Sequence, residues 1–209
     1  MITSKTPILT PSSPDYWERT YQSGELGWDL GGSTPIFDQW ITTCKKPISI
    51  CILGAGNGWD ALNFASKGHM VTAIDFAESA ITNMQIASEK NKIIMDIQKI
   101  DIFNLNQIYS KYFDVVLEYT CFCAIEPYRR REYLEIVQHI LKPKGELVGL
   151  LFPIDKDPAD GGPPFAIQLE STIELISEYF LLIKQEIPSL SVKSRLGREV
   201  FVIFRNHRN

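Results

Sequence analysis

One segment of the chain, residues 48–75, constrains the fold more than any other. It reads ISICILGAGNGWDALNFASKGHMVTAID. Its first six residues are a short run rich in β-branched side chains, which predicts a buried strand. The glycines that follow predict a turn into a helix that begins near Trp59, and a second apolar strand ends at Asp75. Strand, glycine turn, helix and acid-ended strand together predict the nucleoside-binding crevice of an open α/β sheet.

The glycine turn and Asp75 indicate which ligand suits this crevice. Glycines at alternate positions, Gly54, Gly56 and Gly58, let the backbone approach a ligand closely. Asp75 lies at about the distance at which such sheets place a carboxylate that accepts hydrogen bonds from both ribose hydroxyls. Trp59 stands where the dinucleotide fingerprint GxGxxG has its last glycine, which disfavours a pyrophosphate. S-adenosylmethionine, which has a ribose and an adenine but no phosphate, therefore fits better than NAD.

The rest of the chain repeats the alternation of strand and helix. Further strands are predicted at residues 93–101 (IIMDIQKID), 113–119 (FDVVLEY) and 142–153 (KPKGELVGLLFP), and helices at residues 76–91, 128–141 and 172–179. The closing runs at 180–187 and 199–204 leave no room for a crossover helix, so they should pair antiparallel. The pattern predicts a single-domain α/β fold: a seven-stranded, mostly parallel sheet with an antiparallel last strand and helices on both faces.

Composition limits the partners and the compartment. With 209 residues, 44 % of them hydrophobic, the chain is expected to form one globular domain. A net charge of −4 argues against a nucleic-acid partner, and the three arginines at 129–131 are interpreted as the solvated start of a helix. There is no apolar run of membrane-spanning length and no signal peptide, so a soluble cytoplasmic protein without a membrane partner is expected. The oligomeric state is left open, with a slight preference for a monomer.

The cysteines and histidines predict no metal site. Four cysteines and three histidines are present, and their spacing is not that of zinc ligands. Cys51 and Cys121 fall in or beside predicted strands, where cysteine behaves as a small hydrophobic residue. Free thiols used in this way suit a reducing cytoplasm.

Four segments follow from these patterns. They are a flexible or loosely docked leader at 1–14, an N-terminal flap at 15–47, a cofactor-binding core at 48–152, and a lid loop with a closing hairpin at 153–209. The flap carries Trp17, Tyr21 and Trp28, and a surface helix held down by its aromatic residues is the alternative interpretation. The loop at 153–165 is rich in Pro and Gly and long enough to be a lid.

Three blocks of sequence together resemble the class I methyltransferases that use S-adenosylmethionine. They read WERTYQSGELGWDLGGSTP (17–35), ILGAGNGWDALNFASKGHMVTAID (52–75) and FDVVLEYTCFCAIEP (113–127), and GGPPF (161–165) continues them. The combined signature is similar to the thiopurine methyltransferase family with its halide, thiocyanate and thiol methyltransferase branch. The resemblance spans roughly residues 14 to 205, and it implies a Rossmann-like fold and a small-molecule acceptor: a thiol, a thiocyanate or halide, or a thiopurine-like sulfur.

The resemblance also implies which residues bind S-adenosylmethionine. They are Trp17, Tyr21 and Trp28 in the flap, Gly54 and Gly56 in the turn, Asp75 and Phe76, then Asp101, Ile102 and Phe103, and finally Tyr119. Asp75 would bind the ribose, and Asp101 would lie by the adenine. At Tyr21 the plant relatives tend to carry tryptophan, a change that keeps an aromatic wall.

The acceptor site is expected on the other side of the transferred methyl group. Candidate residues are Trp28, Phe152, Phe165 and Arg198, and Arg195 is a second candidate cation. At Phe152 relatives tend to carry tyrosine, so the acceptor preference stays open. A halide, a thiocyanate or a thiolate is already an anion, so no general base is required; a positive charge near a neutral thiol would raise its thiolate fraction. The alternative for the two arginines is a solvated charge cluster in the hairpin.

Two other functions remain open from the sequence. An NAD-dependent oxidoreductase could use a similar sheet, although Trp59 counts against it. A non-catalytic module that binds S-adenosylmethionine is the second, and the aromatic flap and the lid-like loop argue instead for an enclosed acceptor site.

Overall fold

The chain forms one mixed sheet surrounded by helices. A computed structural model describes residues 9–207, so most of the expected leader at 1–14 lies outside the described residues. Within that range the strands are β1 (Ser49–Leu53), β2 (Met70–Asp75), β3 (Asp96–Lys99), β4 (Phe113–Tyr119), β5 (Leu141–Leu151), β6 (Phe180–Glu186) and β7 (Val200–Asn206). The α-helices are α1 (Pro14–Ser23), α2 (Pro35–Ile41), α3 (Trp59–Ser66), α4 (Glu78–Asn91), α5 (Arg130–Ile140) and α6 (Leu169–Ser177).

The strand order is β3-β2-β1-β4-β5-β7-β6. The first five strands pair in parallel, and β7 pairs antiparallel with both β5 and β6. The predicted sheet of seven strands with a reversed last strand is therefore confirmed. The chain reverses its strand order at β1 and β4, whose carboxyl ends leave the crevice where ligands bind in open α/β sheets.

Two apolar layers cover the sheet, one on each face. Alternate residues of β1 divide between them, because successive side chains of a strand point to opposite faces. Cys51 and Leu53 pack in the layer that contains α5, whereas Ile50 and Ile52 pack in the layer that contains α2 and α3. Helices on both faces, as predicted, follow from this division.

The N-terminal region differs from the expected flap. Residues 14–23 form α1, a surface helix without a buried residue, as in the alternative interpretation. After a loop at 24–34, α2 contributes Ile36, Phe37 and Ile41 to the core. A proline in the first helical position, here Pro35, is a common signal for the start of a helix. The interpretation of residues 15–47 as a flap did not take it into account.

Two further predictions are corrected by the structure. Arg130 is buried, with 7 % of its surface exposed, so the run at 129–131 is not a fully solvated helix start. The third strand ends at Lys99 rather than at Asp101, and Asp101 instead caps a short 3₁₀ helix, Ile102–Gln107, by accepting a hydrogen bond from the Phe103 N–H. Among residues 9–207, no helix is long and apolar enough to cross a membrane.

Candidate active site

A cavity of about 420 Å³ opens at the carboxyl ends of the parallel strands. Its walls come from α1 and the loop after it, the glycine turn, the ends of β2 to β5, and the loops at 152–164 and 187–199. The volume falls in the usual range for small-molecule and cofactor sites.

The cavity brings together most of the residues expected at the cofactor. Those that line it are Trp17, Tyr21, Trp28, Gly54, Asp75, Phe76, Asp101, Ile102 and Phe103, together with the acceptor candidate Phe152. Gly56 and Tyr119 lie outside it and line a smaller adjoining cavity of about 70 Å³. Phe165 and Arg198 line neither cavity, although the guanidinium carbon of Arg198 lies 5.3 Å from the ring centroid of Phe152, so their place in the acceptor pocket stays a prediction.

Asp75 lies at the end of β2 with only 8 % of its surface exposed. Its carboxylate accepts hydrogen bonds from the backbone N–H groups of Gly56 (2.9 Å), Phe76 (2.8 Å) and Ala77 (3.0 Å). Burial raises the pKa of this carboxyl, and the three N–H donors act in the opposite direction. The carboxylate is therefore held in one orientation at the cavity wall, with lone pairs still able to accept further bonds.

The glycine turn needs glycine for two different reasons. Gly54 has φ +59°, and a Cβ there would lie 3.2 Å from the Sγ of Cys121, so the backbone and the β4 loop meet closely. At Gly58, φ is +76°, and a Cβ would lie 2.6 Å from the Cγ of Met84 on α4. The turn is thus fixed between β4 and α4.

An aromatic group from the N-terminal region forms one wall. Trp28 makes edge contacts with Trp17 and Tyr21, at ring-centroid distances of 5.4 and 5.5 Å. Helix α1 is fastened to α4 by Glu18, which accepts hydrogen bonds from the N–H and the hydroxyl of Ser79 at 2.9 and 2.5 Å. Burial, followed by the nearby Asp75 carboxylate, raises the pKa of Tyr21, so its hydroxyl stays protonated.

Part of the leader is docked, one of the two states left open for it, and it lines the site, which was not predicted. Pro11 and Ser12 line the cavity. Trp17 Nε1 donates to the Pro11 carbonyl at 2.7 Å, and the Ser12 hydroxyl donates to Glu126 Oε2 at 2.6 Å. These bonds close the wall between α1 and the loop after β4. Low periodicity in the leader gave no signal of this docking.

The wall beside Asp101 combines a carboxylate with apolar side chains. Asp101 Oδ1 accepts from the Phe103 N–H at 3.0 Å, and Ile102 and Phe103 line the same part of the cavity. The guanidinium of Arg129 lies 3.3 Å from the centroid of the Phe103 ring. An apolar slot with an acidic acceptor suits the adenine of a nucleoside, which has a flat ring and an amino donor.

Arg195 lies at the opposite end of the cavity. It is 4 % exposed, and its guanidinium carbon is 4.1 Å from the Phe152 ring centroid and 5.1 Å from that of Tyr119. Nη2 donates to the Trp28 carbonyl at 3.2 Å, whereas buried Nη1 has no hydrogen-bond partner among residues 9–207. The sequence placed Arg195 and Arg198 on equal terms, but Arg198 is half exposed and paired with Asp155.

Partly buried Tyr119 and buried Glu199 form a hydrogen-bonded pair beside this arginine. The Tyr119 hydroxyl donates to Glu199 Oε2 at 2.9 Å, and Glu199 is 1 % exposed. Burial raises the pKa of Tyr119, and the positive charge of Arg195 acts in the opposite direction. Tyr119 therefore packs against the Arg195 guanidinium and does not line the larger cavity. No pattern in the sequence indicated a role for Glu199.

A second buried group fixes the loop after β4. Glu118 accepts a hydrogen bond from the Phe122 N–H at 2.6 Å, and burial raises the pKa of Glu118 from 4.5 to about 7. The guanidinium of Arg130 lies 4.8 Å from the Phe122 ring centroid and donates to the Ala166 carbonyl. Cys121 lines the cavity, but burial raises its pKa well above 9.0, so it stays a thiol.

The residues of the cavity fit S-adenosylmethionine. The Gly56 N–H, which could face a phosphate in a dinucleotide site, donates to Asp75 instead, so the turn offers an acceptor for ribose hydroxyls rather than a phosphate cradle. The aromatic wall and the slot beside Asp101 match a nucleoside. Among residues 9–207 no group of three or more His, Cys, Asp or Glu side chains is arranged to hold a metal ion.

This strand order, with a nucleoside site at the carboxyl ends of β1, β2 and β4, defines a class I methyltransferase that uses S-adenosylmethionine. The sequence model of the thiopurine S-methyltransferase family matches residues 12–202. The chain belongs to that family.

Relatives and solved structures agree with this assignment. Thiocyanate methyltransferase 1 of Brassica oleracea is 31 % identical over 189 residues, which cover 88 % of this chain and 81 % of the relative. Probable thiol methyltransferase 2 of Arabidopsis thaliana is 30 % identical over 165 residues, covering 78 % and 71 %. The Burkholderia thailandensis 1,6-didemethyltoxoflavin-N1-methyltransferase, solved with S-adenosylhomocysteine, shares the fold with a TM-score of 0.75 at 17 % identity, covering 100 % of this chain and 98 % of the other.

The predicted family, fold and methyl donor are thus confirmed. The comparisons give no support to an NAD-dependent oxidoreductase or to a non-catalytic binding module.

Proposed function

We propose that this methyltransferase transfers the methyl group to a small sulfur or halide nucleophile, a thiol, thiocyanate or halide, that reaches the cavity as an anion. The observation that carries the proposal is the buried guanidinium of Arg195, whose Nη1 has no hydrogen-bond partner among residues 9–207. A buried donor of this kind costs free energy unless a ligand satisfies it. The names of the thiol and thiocyanate methyltransferase relatives support the same chemistry.

The cavity supplies the parts that such a reaction needs. When bound, S-adenosylmethionine would supply a methyl group on a positively charged sulfonium. An anionic acceptor would bond to the methyl carbon in line with the carbon–sulfur bond as that bond breaks, and neutral S-adenosylhomocysteine would leave. Asp75, Asp101 and the aromatic wall would hold the nucleoside in place. Orientation of this kind contributes several kcal/mol to a two-reactant step. Arg195 would attract the anion and, for a thiol, lower its pKa so that more thiolate is present at neutral pH.

The proposed mechanism uses no general base. Cys121 lines the cavity as a protonated thiol, because burial raises its pKa. Around the acceptor end, Phe152, Pro163 and Pro164 form an apolar rim that would exclude water and leave the anion weakly solvated. The loop at 153–165 would act as the lid; its Asp155 is paired with Arg198, and Lys156 donates to the Pro164 carbonyl at 2.7 Å.

The remaining assignments are also proposals. We expect a monomer that works in the cytoplasm, where its four free cysteines stay reduced. We expect no nucleic-acid partner, because the net charge is −4.

The test is a product assay with two matched variants. Headspace gas chromatography measures the volatile methylated products from iodide, thiocyanate, hydrosulfide and small thiols. Replacing Arg195 by Met should lower kcat/KM for thiocyanate by about 10- to 100-fold, the value of a charged hydrogen bond, with little change in KM for S-adenosylmethionine. Lys193→Met, in the same loop but at an exposed position that lines neither cavity, should behave like the wild type.

Two results would contradict the proposal. One is the absence of any product at saturating S-adenosylmethionine from all of these acceptors. The other is an equal loss of thiocyanate turnover in the Arg195 and Lys193 variants, since of these two residues only Arg195 lines the cavity.

A further inference from the structure

The carboxylate of Asp29 is a junction of three hydrogen bonds beside the aromatic wall. Oδ1 accepts from Trp59 Nε1 at 2.7 Å and from the Gly31 N–H at 2.7 Å, and Oδ2 accepts from Asn57 Nδ2. Asp29 directly follows Trp28 in the chain. The loop at 24–34 is therefore tied to the glycine turn and to the first residue of α3 at the point where Trp28 enters the cavity wall.

Trp59 is an unusual residue to find at this place. It begins α3 with 39 % of its surface exposed, so core packing does not account for a large aromatic side chain there. Its polar contact is the bond from the indole N–H to Asp29, 30 residues earlier in the chain. Asn57, the second side-chain donor, is itself held by Asn83 of α4, whose Nδ2 donates to Asn57 Oδ1 at 2.8 Å.

Two sets of contacts hold Trp28: residues of α1 and Arg195 contact Trp28 itself, and the Asp29 bonds hold the backbone directly after it. Trp17 and Tyr21 touch Trp28 by ring edges, the Tyr21 hydroxyl also accepts a hydrogen bond from the Trp28 side chain, and both residues belong to the surface helix α1. Arg195 contacts only the Trp28 carbonyl. The Asp29 bonds are the connection from this loop to the glycine turn, which borders the same cavity through Gly54.

We propose that Trp59 is a positioning residue for the methyl donor. Through Asp29 its indole N–H holds Trp28 against the cofactor cavity, so that loss of this one bond weakens the binding of S-adenosylmethionine and of its demethylated product. The inference rests on the methyl donor alone and does not depend on which acceptor the enzyme uses.

The test uses calorimetric titration with S-adenosylhomocysteine, which needs no acceptor and no turnover. Trp59→Phe removes the N–H and keeps an aromatic ring; we expect its Kd to rise by about 10-fold, the low end for a hydrogen bond to a charged group. Trp40→Phe is the matched control, because Trp40 packs against Phe64 of α3 and lines neither cavity. Its Kd should stay within about twofold of the wild type, since it makes no contact with the cavity.

A double-mutant cycle separates the proposed bond from general damage. Asp29→Ala removes the shared acceptor, so adding Trp59→Phe to it should cause no further rise in Kd. Amide hydrogen exchange of the unliganded Trp59→Phe variant should increase at residues 25–33 and stay unchanged in the sheet. Unlike a loss of overall stability, this pattern is local.

Three outcomes would overturn the inference. They are a wild-type Kd in Trp59→Phe, an equal rise in Trp40→Phe, and losses from Asp29→Ala and Trp59→Phe that multiply in the double variant. If Trp59→Phe does not fold, the same titration and exchange measurements on Asp29→Ala alone decide the question, and unchanged values there would also overturn it.

Discussion

Asp60 gives the sharpest prediction about stability, because its environment is simple. This partly buried carboxyl lies in the first turn of α3 and accepts hydrogen bonds from the N–H (2.7 Å) and the hydroxyl (2.8 Å) of Thr34, which holds the start of α2. Burial raises the pKa of Asp60 from 3.8 to about 6 and outweighs the hydrogen bonds from Thr34. The folded protein therefore binds a proton at Asp60 more tightly than the unfolded chain does.

The sign and size of the effect follow from this difference. A carboxyl whose pKa is raised on folding contributes stability fully below about pH 4, and the contribution is lost as the pH rises through about 6. The gap between 3.8 and about 6 corresponds to about 3 kcal/mol of unfolding free energy. Asn has the same shape: its oxygen accepts from the Thr34 N–H, and its amide donates to the Thr34 hydroxyl. It carries no charge at any pH.

The expected result is a stability gain that depends on pH. Asp60→Asn should match the wild type near pH 4 and exceed it by about 2 to 3 kcal/mol at pH 7.5. Urea unfolding followed by circular dichroism, at a series of pH values from 4 to 8, measures the difference. Asp15→Asn, at an exposed position of α1, is the control and should show no such trend.

One outcome would refute the reasoning. A difference between Asp60→Asn and the wild type that does not change with pH would mean that Thr34 and the positive end of α3 keep the partly buried carboxylate ionised. A loss of stability at pH 7.5 would lead to the same conclusion.

Three shorter predictions concern the cavity. Asp75→Ala should weaken the binding of S-adenosylhomocysteine by about 1.5 to 3 kcal/mol in calorimetry, and an unchanged affinity would disprove its ribose role. Ser12→Ala, which removes the bond to Glu126, should raise KM for S-adenosylmethionine a few-fold while Ser13→Ala does not; equal values in both would show that the leader does not close the wall. Deletion of residues 155–162 should reduce acceptor turnover far more than cofactor affinity, and equal losses would reject the lid.

The cofactor end of the site could be predicted because its signals are local in sequence. The strand, glycine turn, helix and second strand lie within 28 consecutive residues, and the carboxylate at the end of β2 follows from them. Polar residues at the carboxyl ends of neighbouring parallel strands also meet at one edge. Asp75 and Asp101 accordingly line the cavity, although Asp101 belongs to a 3₁₀ helix rather than to a strand.

The direction of a side chain beyond a strand end could not be predicted. Tyr119 is the last residue of β4, but Thr120 follows with φ +61°, an uncommon conformation for threonine. This turn directs Thr120 and Cys121 to the cavity and leaves Tyr119 in the neighbouring one. In the same way, nothing in the sequence indicated which of Arg195 and Arg198, three positions apart in one loop, lines the cavity.

The burial of Arg130 could have been predicted from the sequence. Arg130, Tyr133, Leu134 and Val137 have the i, i+3, i+4, i+7 spacing of one helical face, and all four are buried. The interpretation of residues 129–131 considered their three charges and not this periodicity. A charged residue at a core-facing helical position is better interpreted as a buried group in need of partners.

The reversed direction of β7 places the hairpin before it beside the cavity, so a change in that hairpin can alter one end of the cavity. Leu151 at the end of β5 pairs with Val200 at the start of β7, so the hairpin at 187–199 returns to the edge from which the parallel strands leave. A parallel seventh strand would have delivered that hairpin to the opposite edge. The chain thus builds the two ends of one cavity from segments more than a hundred residues apart. An exchange of this hairpin would replace Arg195, the proposed acceptor-binding residue, while the turn at Gly54 and the carboxylate at Asp75, the proposed donor-binding groups, stay as they are.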